Sequence, residues 1–132
     1  MSTGTYEEEL PCGGKLKVTK KTWEISYYFP GPDLRYNGDF FSIPGNKVLS
    51  YIDAYEKNWE IYLKLKKSIP KNGEFTQSGK LGMSIRLGWR EGVCIQTYHM
   101  PINTKRRLKE ITAGYLYACS RAKVIQKMLK SL

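Results

Sequence analysis

The end of the chain sets the tightest limit on its fold. From residue 104 to 131 there is no proline, and apolar residues recur at Leu108, Ile111, Tyr115, Ala118, Ala122, Ile125, Leu129 and Leu132. That alternation of three and four positions keeps one stripe on one side of an α-helix, as in a coiled-coil seam. Thr104 stands where an N-cap is needed. At 1.5 Å per residue the helix is roughly 40 Å long, longer than a compact chain of 132 residues is wide. Either it lies across its own sheet or it meets another copy. Gly114, Ala118 and Ala122 add a small-residue row at i,i+4. A glycine inside a helix costs about 1 kcal/mol relative to alanine, and close approach of a second helix would offset it. The seam is therefore read as an oligomer interface, of a homodimer or higher assembly.

A sheet and one more helix precede it. Leu16 and Val18 alternate with lysines, then Trp23, Ile25, Tyr27 and Phe29 alternate with Glu24, Ser26 and Tyr28. Period two with aromatic and β-branched residues predicts two strands about Lys20-Lys21. Phe40 to Ile43 makes a short strand after an Asn37-Gly38 turn. Residues 47–68 switch to a helical period through Val48, Ile52, Tyr55, Trp59 and Tyr62. Phe75 to Gly79 reads as a loop. Residues 80–102 read as one β-hairpin about Glu91-Gly92, with Ile85 facing Tyr98 and Trp89 facing Cys94. The result is an α+β fold: an antiparallel sheet with two helices, the long C-terminal one at an oligomer interface. Residues 1–14, with Glu7-Glu8-Glu9, form an acidic lead-in to a single domain over 15–132.

Charge narrows the function. Lys and Arg number 22 against 12 Asp and Glu, a net of +10. Residues 1–60 hold 7 basic and 9 acidic side chains, whereas 61–132 hold 15 and 3. The whole excess lies in the second half and calls for an anionic partner. The N-terminus lacks the basic and apolar regions of a secretory signal, and no apolar run approaches the roughly 18 residues of a membrane span. Cys12, Cys94 and Cys119 are odd in number and scattered, which speaks against a disulfide framework or zinc ribbon and for a cytoplasmic setting.

Catalytic groups are sparse. His99 is the single histidine, and no phosphate-loop or dinucleotide fingerprint is present. The reading is a binder rather than an enzyme, with no cofactor. Seventeen aromatics in a basic chain suit a ligand that stacks and carries phosphate. Candidates near strand ends are Trp23, Arg35, Arg86, Trp89 and Arg90. At the start of the last helix stand Asn103, Thr104, Lys105, Arg106 and Arg107, where free N–H groups favour an anion and the dipole disfavours three cations. Arg121 lies outside the seam. A small nucleic-acid-binding module is the alternative reading.

Trp23, Arg35, the helix with Tyr55-Glu56-Lys57-Asn58-Trp59, Gly92-Val93-Cys94, Tyr98-His99-Met100-Pro101-Ile102-Asn103 and Arg121-Ala122 form a combination spread over most of the chain. In this it resembles the phage Thoeris anti-defence sponge proteins, which capture cyclic ADP-ribose signals made by bacterial TIR enzymes. The resemblance implies sequestration without catalysis in the infected host's cytoplasm, by an oligomer that holds the nucleotide at a protomer interface. It implies that Trp23 and Trp89 contact the base, that Asn103 acts just before the final helix, and that Arg35 and Arg121 hold the diphosphate. Where such proteins carry an arginine in the first helix, this chain offers Lys64.

Overall fold

The computed structural model describes residues 4–29, 39–68, 75–87, 95–97, 100–102 and 104–132. It is mixed α+β, with antiparallel sheets and two helices, the second a long C-terminal one. Contacts group the chain into two compact units, residues 1–49 with 113–132 and residues 50–112. No described helix is long and apolar enough to cross a membrane.

The first unit holds a four-stranded sheet in chain order, β1 (Thr5–Glu9), β2 (Lys15–Thr19), β3 (Trp23–Phe29) and β4 (Asp39–Pro44). The expected strands on either side of Lys20-Lys21 are β2 and β3. Thr19 closes the turn between them: its Oγ1 accepts from the Thr22 amide at 3.0 Å, and its own amide donates to the Thr22 carbonyl at 2.8 Å. Register sorts the side chains by face. Leu16, Ile25 and Ile43 pair in one row and are fully buried. The opposite face carries Glu9–Lys15–Ser26–Ser42 and Glu7–Lys17–Glu24–Pro44, so period two separates core from charge.

Strand β1 corrects the lead-in. Thr5 to Glu9 pair along their length with Thr19 to Lys15. Lysines opposite Glu7 and Glu9 offset the charge that makes the segment look disordered, and Glu7 bridges Lys15 and Lys17 at 3.8 and 3.9 Å. As a sheet edge, a charged strand also resists unwanted pairing.

Helix α1 (Val48–Ser68) follows a single 3₁₀ turn over Gly45–Lys47. Its expected stripe of Val48, Ile52, Tyr55, Trp59 and Tyr62 is buried. In the second unit, β5 (Phe75–Ser78), β6 (Ser84–Leu87), β7 (Ile95–Thr97) and β8 (Met100–Ile102) form a second sheet in chain order. Three expectations change here. Phe75 to Ser78, read as a loop, is a strand paired with β6. Ile85 faces Ile95 rather than Tyr98. The single returning strand is two, β7 and β8, with Ile95 opposite Ile102. The observed register lines up Ile85, Ile95 and Ile102 across three strands, a β-branched ladder that the expected pairing would break. Pro101, which has no amide hydrogen to give, sits on the edge strand β8.

Helix α2 (Lys105–Lys130) starts as expected, with Thr104 Oγ1 accepting from the Arg107 amide at 3.1 Å. The expected seam, however, is covered by the protein's own chain: Leu108, Ile111, Tyr115, Ala118, Ala122, Ile125 and Leu129 are buried, and only Leu132 is exposed. The sheet's apolar face needs a cover, and the part of α2 within the first unit, from Tyr115 onward, supplies one. Tyr115 and Tyr27 share a buried hydroxyl–hydroxyl hydrogen bond. Gly114 is explained in the same way. A Cβ there would overlap Cys12 Sγ and lie 2.7 Å from Cys12 Cβ, so the β1–β2 turn, not another helix, demands the small residue.

Candidate functional site

Of the six residues expected at a ligand site, Trp23, Thr104 and Arg121 fall among the described residues. Arg35, Trp89 and Asn103 lie outside them. Trp23 and Arg121 belong to the first unit and Thr104 to the second. Thr104 is engaged as the α2 cap, with Lys105, Arg106 and Arg107 following in a first turn that has no acidic residue. Glu110 answers part of this charge, 3.3 Å from Arg106 and 3.5 Å from Arg107.

Trp23 opens β3, half-buried, and its indole lies against Gly45. A Cβ on Gly45 would come within 2.6 Å of the ring. Register puts Tyr6, Val18 and Trp23 in one cross-strand row, hence on one face. Two strand spacings separate the outer members, about 10 Å. Val18 is fully buried, while Tyr6 and Trp23 keep part of their surface in water.

Arg121 closes the Tyr6 end of that row. Its guanidinium stands 5.8 Å from the Tyr6 ring centroid, a cation–π distance. Nε donates to Glu8 Oε1 at 2.9 Å, and a terminal nitrogen donates to the Tyr6 hydroxyl at 3.4 Å. Tyr117, one helical turn earlier, donates its hydroxyl to Glu8 Oε2 at 3.3 Å. Hydrogen bonds to Tyr6 and then to Glu8 hold the Arg121 guanidinium more firmly protonated than an ordinary arginine. The Tyr117 phenol is pushed up by desolvation and then by the Glu8 charge.

The sequence reading singled out Arg121 but missed Tyr6, Glu8 and Tyr117. Glu8 and Tyr6 hide in the acidic segment that looked unstructured. Their alternation with Glu7 and Glu9 is the only sequence signal for them, because the partners lie more than a hundred residues away. A separate cavity of about 550 Å³ in the same unit is lined by Glu9, Leu10, Gly14, Lys15, Ser26 and Tyr27, among others. Trp23, Thr104 and Arg121, the described residues expected at a ligand site, do not line it.

No family model, curated protein or solved structure matches this chain.

Proposed function

We propose that the protein binds and sequesters a cyclic ADP-ribose-type nucleotide signal without turning it over, and so blocks a TIR-based Thoeris defence. The observation that carries this reading is the face shared by Trp23, Tyr6 and Arg121. It combines two partly exposed aromatic residues whose strands lie about 10 Å apart with a guanidinium 5.8 Å from the Tyr6 ring. Rings suit a base, and a planar guanidinium suits phosphate oxygens bidentately. Glu8 occupies Arg121 in the free chain, so a phosphate binds there by taking the place of that carboxylate. The basic excess of residues 61–132 favours the approach of an anion.

The same excess also suits a nucleic acid, the second reading. Between Lys105 and Lys130 the sequence holds eight Lys and Arg and one acidic residue, Glu110. A helix surface of that kind tracks a phosphate backbone.

The test is capture and release. The purified protein is incubated with cyclised ADP-ribose and then heat-denatured, and free nucleotide is assayed before and after heating. Sequestration predicts that the nucleotide leaves solution and returns chemically unchanged. Nucleotide that stays free, or comes back altered, contradicts the reading. Trp23→Ala and Arg121→Ala should each abolish capture with the circular dichroism spectrum intact. Glu8→Gln should strengthen it by freeing the guanidinium.

A further inference from the structure

The two oxygens of the Glu8 carboxylate are met by two different residues of α2. Arg121 Nε donates to Oε1 at 2.9 Å, while a terminal nitrogen of the same guanidinium is spent on the Tyr6 hydroxyl at 3.4 Å. The carboxylate therefore takes one bond from the arginine and not the parallel two of a bidentate pair. Its second oxygen, Oε2, accepts from the Tyr117 hydroxyl at 3.3 Å. Tyr117 and Arg121 are four residues apart on α2, hence one turn above the other on the same side of the helix. Together they form a two-residue fork, with one donor for each oxygen of a single oxyanion.

Glu8 is replaceable in that fork. The side chains of Arg121 and Glu8 are 35% and 23% exposed, and a pair so open to water adds little to stability. Backbone pairing with β2 holds β1 in the sheet, so the Glu8 side chain can turn into solvent with the ladder intact. Glu7 and Glu9 alternate onto the opposite face, across from Lys17 and Lys15, and residues 113–132 contain no Asp or Glu. Once Glu8 withdraws, neither β1 nor this part of α2 sets another carboxylate against an incoming anion. Tyr117 is 45% exposed, which suits a hydroxyl reached from solvent. A phosphoryl group matches the carboxylate in sign of charge and in carrying two acceptor oxygens on one central atom, so it inherits both donors.

We propose that Tyr117 is a specificity-determining residue of the nucleotide site: its hydroxyl and Arg121 Nε each donate to one oxygen of the same phosphoryl group, whose place Glu8 keeps in the free chain. This role rests on the nucleotide binding proposed for this face and adds a donor to it. It also sets the class of group taken at this end of the site, an oxyanion with two acceptor oxygens on one centre, such as either phosphorus of a diphosphate, in preference to a neutral sugar. The sign of one mutation separates this role from a structural bond. If Tyr117 only steadies Glu8, deleting its hydroxyl loosens the competing carboxylate and capture improves. If Tyr117 serves the ligand, capture weakens although the competitor is looser.

The test titrates cyclised ADP-ribose, and separately inorganic pyrophosphate, into the full-length wild type, Tyr117→Phe, Glu8→Ala and the double variant by calorimetry. Tyr117→Phe should weaken both ligands by roughly tenfold or more, the scale of a hydrogen bond to a charged group, and Glu8→Ala should tighten both. In the double variant no carboxylate is left to be steadied, so the loss relative to Glu8→Ala should persist. Circular dichroism at neutral pH checks that all four proteins are folded. Cyclised ADP-ribose bound as tightly or more tightly by Tyr117→Phe overturns the proposal and leaves sequestration standing. Pyrophosphate bound with the expected dependence on Tyr117, but no uptake of the cyclised nucleotide, supports the phosphoryl subsite and overturns sequestration. A wild type and a Glu8→Ala variant that take up neither ligand overturn both.

Discussion

The two compact units carry the same kind of sheet, four antiparallel strands in chain order, yet different devices fix them. In the first unit the strands run five to seven residues and alternate between core and charge, so side-chain pattern alone sets the register. Buried hydroxyls of Tyr27 and Tyr115 join the sheet to α2, and the Arg121–Glu8 pair holds its edge. In the second unit the strands run three or four residues, too short for pattern to decide. A buried polar peg serves instead. Asn58, fully buried on α1, accepts from the Lys80 amide at 2.7 Å and donates to the Lys80 carbonyl at 3.3 Å and Met83 Sδ at 3.1 Å. It holds the Gly79–Met83 turn, where Leu81 adopts a positive φ of 54°. Gly79 passes so close that a Cβ would lie 2.8 Å from Asn58 Cγ. Long strands are written in periodicity; short ones depend on a contact that periodicity does not express.

Mutations can break this contrast. The largest expected effect is Tyr115→Ala, which empties a fully buried aromatic site and should cost about 3–5 kcal/mol. Hydrogen exchange should accelerate across β1–β4 before β5–β8. Asn58→Ala leaves the Lys80 amide without its acceptor and should cost about 1–3 kcal/mol, read by urea denaturation. Here exchange should rise first at Gly79 and Met83, whose backbones meet at 2.6 Å in that turn. Equal loosening of both sheets by either variant would show that the devices are not local. Gly114→Ala should cost about 1–2 kcal/mol, because the overlap with Cys12 outweighs the helix propensity gained. Adding Cys12→Gly should recover part of it, and a thermal melt of the three proteins measures that coupling.

The smallest effect is alkaline. The Tyr117 phenol titrates higher folded than its ordinary value of 10.0. Its contribution is therefore fully present below pH 10 and fades as pH rises through the folded value. Tyr117→Phe should melt with less loss across that alkaline window than wild type, while the two differ by a constant offset at neutral pH.

The contrast also explains what the sequence made legible. β2, β3, α1, the Thr104 cap and the course of α2 follow from periodicity and a cap residue, because those signals are local. β1 was hidden, since three glutamates in a row resemble a solvated tail until their lysine partners on β2 are known. The hairpin register failed because pairing by turn position ignored the Ile85–Ile95–Ile102 ladder. The α2 seam was found, but periodicity marks that a face is buried and never against what. At the candidate site, Trp23 and Arg121 share a unit and Thr104 does not, while Tyr6, Glu8 and Tyr117 came to light only through contacts distant in sequence. The long-range acid–base pair that occupies Arg121 is the main revision to the site.

Calorimetric titration with cyclised ADP-ribose and with a single-stranded oligonucleotide, each at low and high salt, tests the central claim most directly. Sequestration in a site of fixed rings and a guanidinium predicts tight dinucleotide binding that changes little with salt, and weak oligonucleotide binding. Affinity for the oligonucleotide that exceeds that for the dinucleotide and falls steeply with salt, as counterion release requires, would contradict it and assign the basic surface to nucleic acid.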